Sequence, residues 1–222
     1  MNRNVLKIVA LVSMIFDHIG LFFFPNIVLF RVVGRIAFPI FAFFVAEGLK
    51  YTKNRKKYIL MLLGCGLLTQ IPYSFLFEWY NLNIIFTFLI AILVVYLIET
   101  TNKQHLFNIF YLVVLGVLLI LAEPFKVVDY GICGVLLILV FYFAKQKVLK
   151  FVLAGIVLSL LSIRMAYLNN FVLTSFKQFA SLMSIVALVF YNNQKGKLNL
   201  KYLFYIFYPA HFFAFWLILL LI

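Results

Sequence analysis

His18 and His211 each stand deep inside an apolar run of the chain. An ionisable side chain at membrane depth costs at least ~2.5 kcal/mol on insertion scales, so such residues tend to face an interior lined by other polar groups. At ~1.5 Å of rise per residue, His18 lies roughly 16 Å beyond Lys7 and His211 roughly 15 Å beyond Lys201, which puts both near one depth. An imidazole there suits general-base chemistry, because its ordinary pKa is close to working pH and burial can shift it either way. Asp17 precedes His18, and neighbours on a helix point about 100° apart, so the two are expected to meet different partners rather than relay to each other. Arg31 and Arg35, spaced i,i+4, line one helix face and suit a carboxylate or an anionic ligand. That anion is substrate, phosphate or only Asp17.

Arg35 and Arg164 lie roughly 21 Å above the basic ends of their segments, with Asp129, Lys177 and Arg31 further toward the opposite face. The plainer reading is that these charges pair and hold helices together. Asn83 and Thr87, also i,i+4, either hydrogen-bond across helices or touch ligand. Lys50, Lys53, Arg55, Lys56 and Lys57 form a basic turn beside Tyr51 that is read as an inside signal with lipid contact, or as a holder for a phosphate-rich cofactor. No glycine-rich nucleotide loop and no Ser/His/Asp hydrolase signature is present. Cys65 and Cys133 lie in different apolar runs without metal-ligand spacing, so structural roles and no metal are expected.

The elements that must position these groups are membrane spans. Of 222 residues, 67% are apolar and 11% charged, and the mean hydropathy is +1.14, whereas a soluble domain is roughly half apolar and a quarter charged. Apolar runs of about twenty residues, each long enough for a hydrocarbon core of ~30 Å, recur throughout. They predict about nine spans near 5–24, 28–49, 58–77, 83–98, 106–122, 128–144, 148–168, 171–191 and 202–222. The fold class is therefore all-α, a polytopic transmembrane helical bundle. The first run follows Arg3 and Lys7 but contains Asp17 and His18 and lacks a small-residue cleavage site, so it is read as a retained span, not a signal peptide. Pro39, Pro72 and Pro209 are expected to kink their spans. Trp79 and Tyr80 fit an interfacial aromatic belt.

Basic residues fall in alternate connections: Arg3 and Lys7, the 50–57 turn, Lys103, Lys145/Lys147/Lys150, and Lys195/Lys197/Lys201. The opposite connections, around Pro25-Asn26, Glu78-Trp79-Tyr80, Glu123-Pro124 and Leu168-Asn169-Asn170, add only Lys126. The positive-inside rule then predicts a cytoplasmic N-terminus and an external C-terminus. Most of the +13 net charge is thereby a topology signal that also meets anionic lipid headgroups, and no nucleic-acid partner is expected.

The run Met14-Ile15-Phe16-Asp17-His18-Ile19-Gly20 is followed by Gly34-Arg35-Ile36-Ala37-Phe38-Pro39 and Glu47-Gly48, then by Ile71-Pro72-Tyr73, Asn83 with Phe86-Thr87, Asp129-Tyr130-Gly131, Tyr191-Asn192, and Phe207-Tyr208-Pro209 with His211. In that order, over nearly the whole chain, these motifs resemble the TraX family of bacterial membrane proteins. The resemblance implies one transmembrane acyltransferase-like domain over residues 1–222, in the bacterial inner membrane. It implies acetylation of a conjugative-pilin N-terminus from acetyl-CoA, or from another acyl-CoA, as cosubstrate. A more distant similarity, to membrane enzymes that acylate surface sugars, makes an envelope glycan a second acceptor class.

Carried onto this chain, the resemblance nominates His18 as the catalytic histidine and Arg35 as its supporting cation. It adds Tyr208 and His211 through a Tyr-x-x-His pattern, and with the polar residues read from the sequence itself, Arg31, Asn83, Thr87, Asp129, Tyr130 and Arg164, these are the candidate substrate contacts. The basic turn becomes the holder of the acyl donor. Three positions depart: Gln70, in Gln70-Ile71-Pro72, and Ser74 stand where acids are expected, and Asn193 gives Tyr191-Asn192-Asn193 in place of a Tyr-Asn-Gly pattern.

In the mechanism so implied, His18 removes a proton from an attacking amine or hydroxyl, Asp17 orients neighbouring groups, and Arg35 stabilises developing negative charge. A histidine-acyl intermediate fits the same residues. Two other classes use the same charges: a transporter or flippase with a buried substrate path, against which the absence of a visible repeat weighs, and a non-catalytic pilus or envelope assembly protein.

Overall fold

The computed structural model describes residues 1–100, 105–122, 127–168, 170, 173–198, 200 and 202–222, with side chains of 105–108, 122 and 173–175 left out. The charge assignments at Lys103, Glu123, Lys126 and Lys201, the turn residues Pro124 and Asn169, and the start of the 171–191 run lie outside these residues.

The described chain is helical throughout: α1 (Arg3–Phe22), α2 (Val28–Gly34), α3 (Ala37–Tyr51), α4 (Arg55–Leu76), α5 (Ile84–Thr100), α6 (His105–Ala122), α7 (Gly131–Phe143), α8 (Lys147–Leu168), a 3-10 helix (Leu173–Leu182), α9 (Met183–Val189) and α10 (Leu203–Leu221). The expected all-α membrane bundle is what is found. Five segments are long and apolar enough to cross a membrane: α1, α2 with α3, α4, α8 and α10. Four shorter apolar helices complete the set among the described residues.

The span expected at 28–49 is interrupted at 35–36, between α2 and α3. Pro39 explains the place, because a proline has no N–H for the carbonyl four residues back, here Arg35, and its ring crowds that carbonyl. The break turns the chain where Arg35 sits. The run expected at 171–191 differs in another way, since its first ten described residues are wound as a 3-10 helix. That form rises ~2.0 Å per residue against ~1.5 Å in an α-helix, so seventeen residues, Leu173–Leu182 and Met183–Val189, reach about 30 Å, the thickness of a hydrocarbon core.

The chain divides into two compact units. The first comprises Met1–Glu47 and Val140–Lys201. In it α1 packs on α2, α2 on the 3-10 helix, and the 3-10 helix and α9 on α8. Gly20 and Gly34 permit the α1–α2 approach: a methyl group on Gly20 would meet Phe30 Cβ, and one on Gly34 would run into the Asp17 backbone. Small residues at such contacts let helices associate where lipid offers no hydrophobic drive. The aromatic Phe43 stands edge-on to Phe141 at 5.4 Å and Tyr191 at 5.6 Å.

Basic segments gather at one end of this unit. Gln194 O accepts from the Arg3 N–H at 2.9 Å, Lys7 Nζ donates to Leu200 O at 2.9 Å, and Lys147 Nζ donates to Val189 O at 3.0 Å. In the same segment Asn193 adopts φ 60°, a left-handed conformation that Asn tolerates better than any other residue but glycine.

The second unit comprises Gly48–Leu139 and Tyr202–Ile222, with α4 packed on α10 and α5, and α5 on α6. Pro209 lies inside α10 and leaves the Tyr205 carbonyl without its helical donor. The Cys65 thiol donates to that oxygen at 3.5 Å from α4, which gives one cysteine a structural task. Large apolar side chains face outward on both units, Leu29, Leu60, Phe75 and Ile206 among them, as lipid-facing helices require.

Candidate functional site

Asp17 is the hub of a buried ion cluster in the first unit. Arg35 grips it as a fork, with Nη2 at 2.5 Å from Oδ1 and 2.6 Å from Oδ2 and Nε at 3.1 Å from Oδ1. Arg31 Nη1 donates to Oδ2 at 2.7 Å and to the Asp17 carbonyl at 3.0 Å. The side chains of Arg31, Asp17 and Arg35 are 15%, 14% and 10% exposed, so these charges meet at close range in a weakly screened setting. The i,i+4 spacing and the break at 35–36 place both guanidiniums against α1, and Gly34 lets the backbones approach closely enough for them to reach.

The fourth member is one sequence reading missed. Gln178, 3% exposed, accepts from Arg35 Nη1 at 3.2 Å and so holds the third edge of the fork. Its neighbour Lys177 interacts electrostatically with Arg31, Arg35 and Asp17. A signal was present in the sequence: Gln178, Ser181 and Ser184 recur every third residue, the period of a 3-10 helix, in an otherwise apolar run.

His18 sits one residue beyond Asp17 and turns elsewhere, as its angular offset predicts. Its Nδ1 lies 2.9 Å from Met14 O, and its ring stacks on Phe22 at 6.2 Å. Since a carbonyl only accepts, Nδ1 carries the proton in neutral His18, and Nε2 bears the lone pair. His211 repeats the arrangement in the second unit, with Nδ1 3.0 Å from Phe207 O and its ring 5.3 Å from Tyr208. Arg164 lies half-buried on α8 in the first unit.

In the second unit a separate polar group forms around Asp129. The Thr87 hydroxyl donates to Asp129 O at 2.6 Å, and Leu82 pairs with Val128 in a single parallel bridge. Tyr130 follows with φ 59°, an uncommon value for a tyrosine. Tyr73 and Tyr208 both interact electrostatically with Asp129, and the Ile84 N–H bonds Tyr208.

Asn83, fully buried, commits its polar atoms to the fold. Nδ2 donates to Gly66 O and Gln70 Oε1, each at 2.9 Å, and Oδ1 accepts from the Ile85 N–H at 3.1 Å, as a cap at the start of α5 does. Gln70 in turn donates through Nε2 to Ser74 Oγ at 3.1 Å and Asn81 O at 2.7 Å. Both positions where acids were expected thus belong to one amide network.

The basic turn is exposed at Lys50, Lys53, Arg55, Lys56 and Lys57. Arg55 pairs with Glu99 at 2.5 Å, joining the start of α4 to the end of α5, and Asn54 caps α4 through the Lys57 N–H at 2.8 Å. Among the described residues no three His, Cys, Asp or Glu side chains converge as metal ligands.

A family model described as TraX protein matches residues 2–219. A probable fimbrial assembly protein, FimC of serogroup H1, from Dichelobacter nodosus is 29% identical over 95% of each chain. A Protein TraX from Escherichia coli is 34% identical over 64% of this chain and 55% of its own length. An uncharacterized protein from Rickettsia prowazekii is 26% identical over 65% of this chain and 56% of its own. The matches thus span about half the length of these last two relatives. No solved structure matches the chain significantly.

Proposed function

The chain belongs to the TraX family, and from that premise we propose that this multi-pass helical membrane protein is an acyltransferase. It moves an acetyl or other acyl group from cytoplasmic acyl-CoA to an envelope acceptor such as a pilin N-terminus. The observation that carries the reading is the pairing, on one turn of α1, of an imidazole whose tautomer leaves Nε2 as base with a carboxylate clamped by two arginines.

The acceptor amine attacks the thioester carbonyl, the carbon–sulfur bond breaks, His18 Nε2 takes the amine proton, and CoA leaves as a thiolate that is then protonated. Arg35 and Arg31 supply fixed positive charge to the oxyanion that develops. In the second unit, the exposed basic turn at 50–57 has the charge to neutralise phosphates. With the basic end of the first unit taken as cytoplasmic, the membrane is the bacterial inner membrane and the donor arrives from the side of the lysines.

The test is transfer of radiolabel from acetyl-CoA to envelope extract by the purified protein. Labelling by wild type and its loss in His18→Ala are expected; absence of labelling by wild type would sink the proposal. A second reading, non-catalytic assembly of a pilus, draws on the similarity to the probable fimbrial assembly protein of Dichelobacter nodosus. It predicts that His18→Ala leaves pilus number unchanged while disruption of the α1–α2 contact abolishes it.

A further inference from the structure

Gln178 and Ser181 stand three residues apart on the 3-10 helix, a spacing at which side chains eclipse and share one face. Both are buried, at 3% and 0% exposure. Gln178 Nε2 and Ser181 Oγ have no hydrogen-bond partner among the described residues, whereas Ser184, one turn on, donates its hydroxyl to Ser181 O at 2.6 Å. A buried amide with its donor end unmet is less stable than an apolar side chain of the same shape, because that donor has left water and found nothing in exchange. Methionine would fill the same volume without that cost.

What the amide does is hold Arg35. Its one side-chain hydrogen bond among the described residues accepts from Arg35 Nη1 at 3.2 Å. Since a guanidinium nitrogen only donates, Oε1 must face it, and Nε2 is thereby turned away into the apolar interior. Asp17 already anchors Arg35 through Nε and Nη2. Those two nitrogens lie on one edge of the guanidinium, and a plane held along one edge can still tilt about it. Nη1 lies off that edge, so a contact there stops the tilt and fixes the plane. The 3-10 helix packs on α2, and Arg35 is the residue at which α2 ends, so amide and guanidinium ride on neighbouring elements.

We propose that Gln178 is a positioning residue for acyl transfer: by holding Nη1 it fixes the plane in which Arg35 presents its charge to the developing oxyanion. This role rests on the acyltransferase reading of Arg35 and adds a residue that acts through Arg35 without touching substrate. Fixed charge matters because a cation that must reorient as the oxyanion forms gives up part of its stabilisation. The unmet Nε2 is then the cost of keeping an acceptor oxygen at this place, and an apolar side chain, though better suited to the interior, would leave the guanidinium held along one edge.

The experiment compares Gln178→Met and Gln178→Glu with wild type in steady-state transfer of label from acetyl-CoA to envelope extract. Gln178→Met keeps the volume and removes the acceptor, so kcat should fall about tenfold or more, the scale of one lost bond to a charged group. KM for acetyl-CoA should be little changed, since the contact serves the transition state. Gln178→Glu restores an acceptor oxygen at the same reach and should recover most of kcat. A second readout needs no turnover: the exchange of Arg35 Nη1 protons with water, followed by NMR on arginine-labelled protein, should be slow in wild type and Gln178→Glu and faster in Gln178→Met. Ser181→Ala removes the neighbouring unmet hydroxyl without touching Arg35 and should leave kcat and exchange at wild-type values. Full kcat in Gln178→Met, unchanged Nη1 exchange, a loss that Gln178→Glu does not reverse, or an equal loss in Ser181→Ala would overturn this role alone. Absence of labelling by wild type overturns the acyltransferase reading and this role with it.

Discussion

At the level of single residues, the Asp17 cluster is asymmetric. Arg35 engages both carboxylate oxygens, whereas Arg31 divides one nitrogen between a carboxylate oxygen and the Asp17 carbonyl. The carbonyl contact survives any change of the Asp17 side chain. A double-mutant cycle by reversible unfolding should therefore give a coupling between Asp17 and Arg35 about twice that between Asp17 and Arg31, with Asp17→Asn alone costing about 3 kcal/mol because it strands buried cations. Equal couplings would show that the fork geometry is not what matters. At Asn193, whose φ is 60°, the expectation concerns backbone alone: Asn193→Gly within about 0.5 kcal/mol of wild type, and Asn193→Val costing about 1–2 kcal/mol.

At the level of elements, hydropathy was a good guide to where helices are and a poor one to how they are wound. The α1, α4, α8 and α10 spans emerge from runs of apolar residues because any twenty such residues must hide their backbone in helix. The break before α3 was legible as a proline kink, and the proline's missing N–H locates it at Arg35. The 3-10 winding was signalled only by the three-residue spacing of Gln178, Ser181 and Ser184, which α and 3-10 periods barely distinguish over so short a stretch, and the rest of this run is mostly apolar. Gln178 was missed for that reason. The Asp17–Arg31–Arg35 contact was legible as one of several pairings, but choosing it required knowing that Gly34 brings α2 against Asp17. Asn83 was legible either as a hydrogen bond across helices or as a ligand contact, and the fold uses it in the first way, as cap and stitch.

The amide network that Asn83 shares with Gln70 yields a prediction of the same scale. Gln70→Glu keeps the acceptor for Asn83 but loses the donor to Ser74 Oγ and Asn81 O, setting a carboxylate against a carbonyl. A loss of about 1–3 kcal/mol is expected in unfolding assays, and Ser74 substitutions that supply no donor should not restore it. Wild-type stability in Gln70→Glu would show that the network relaxes around an acid. In the first unit, Gly34→Ala must push α2 from α1, because its methyl group would meet the Asp17 backbone. It should lower stability by at least about 2 kcal/mol and reduce acceptor labelling with it.

For the whole molecule, orientation follows from where the charges collect. The Arg3, Lys7 and Lys147 contacts with Gln194, Leu200 and Val189 bring three separate basic stretches of sequence to one end of the first unit. Hydropathy alone would allow those stretches to alternate sides; their meeting means that the segments between them cross in pairs. The positive-inside rule then predicts a cytoplasmic location for that end. Alkaline phosphatase fused after Lys147 or Lys195 should be inactive and green fluorescent protein at the same sites bright. The opposite pattern, active phosphatase and dark fluorescent protein, is expected after Trp79 and after α10, both of which the charge distribution along the sequence assigns to the outside. If fusions after Lys195 and after α10 report the same side, α10 does not cross.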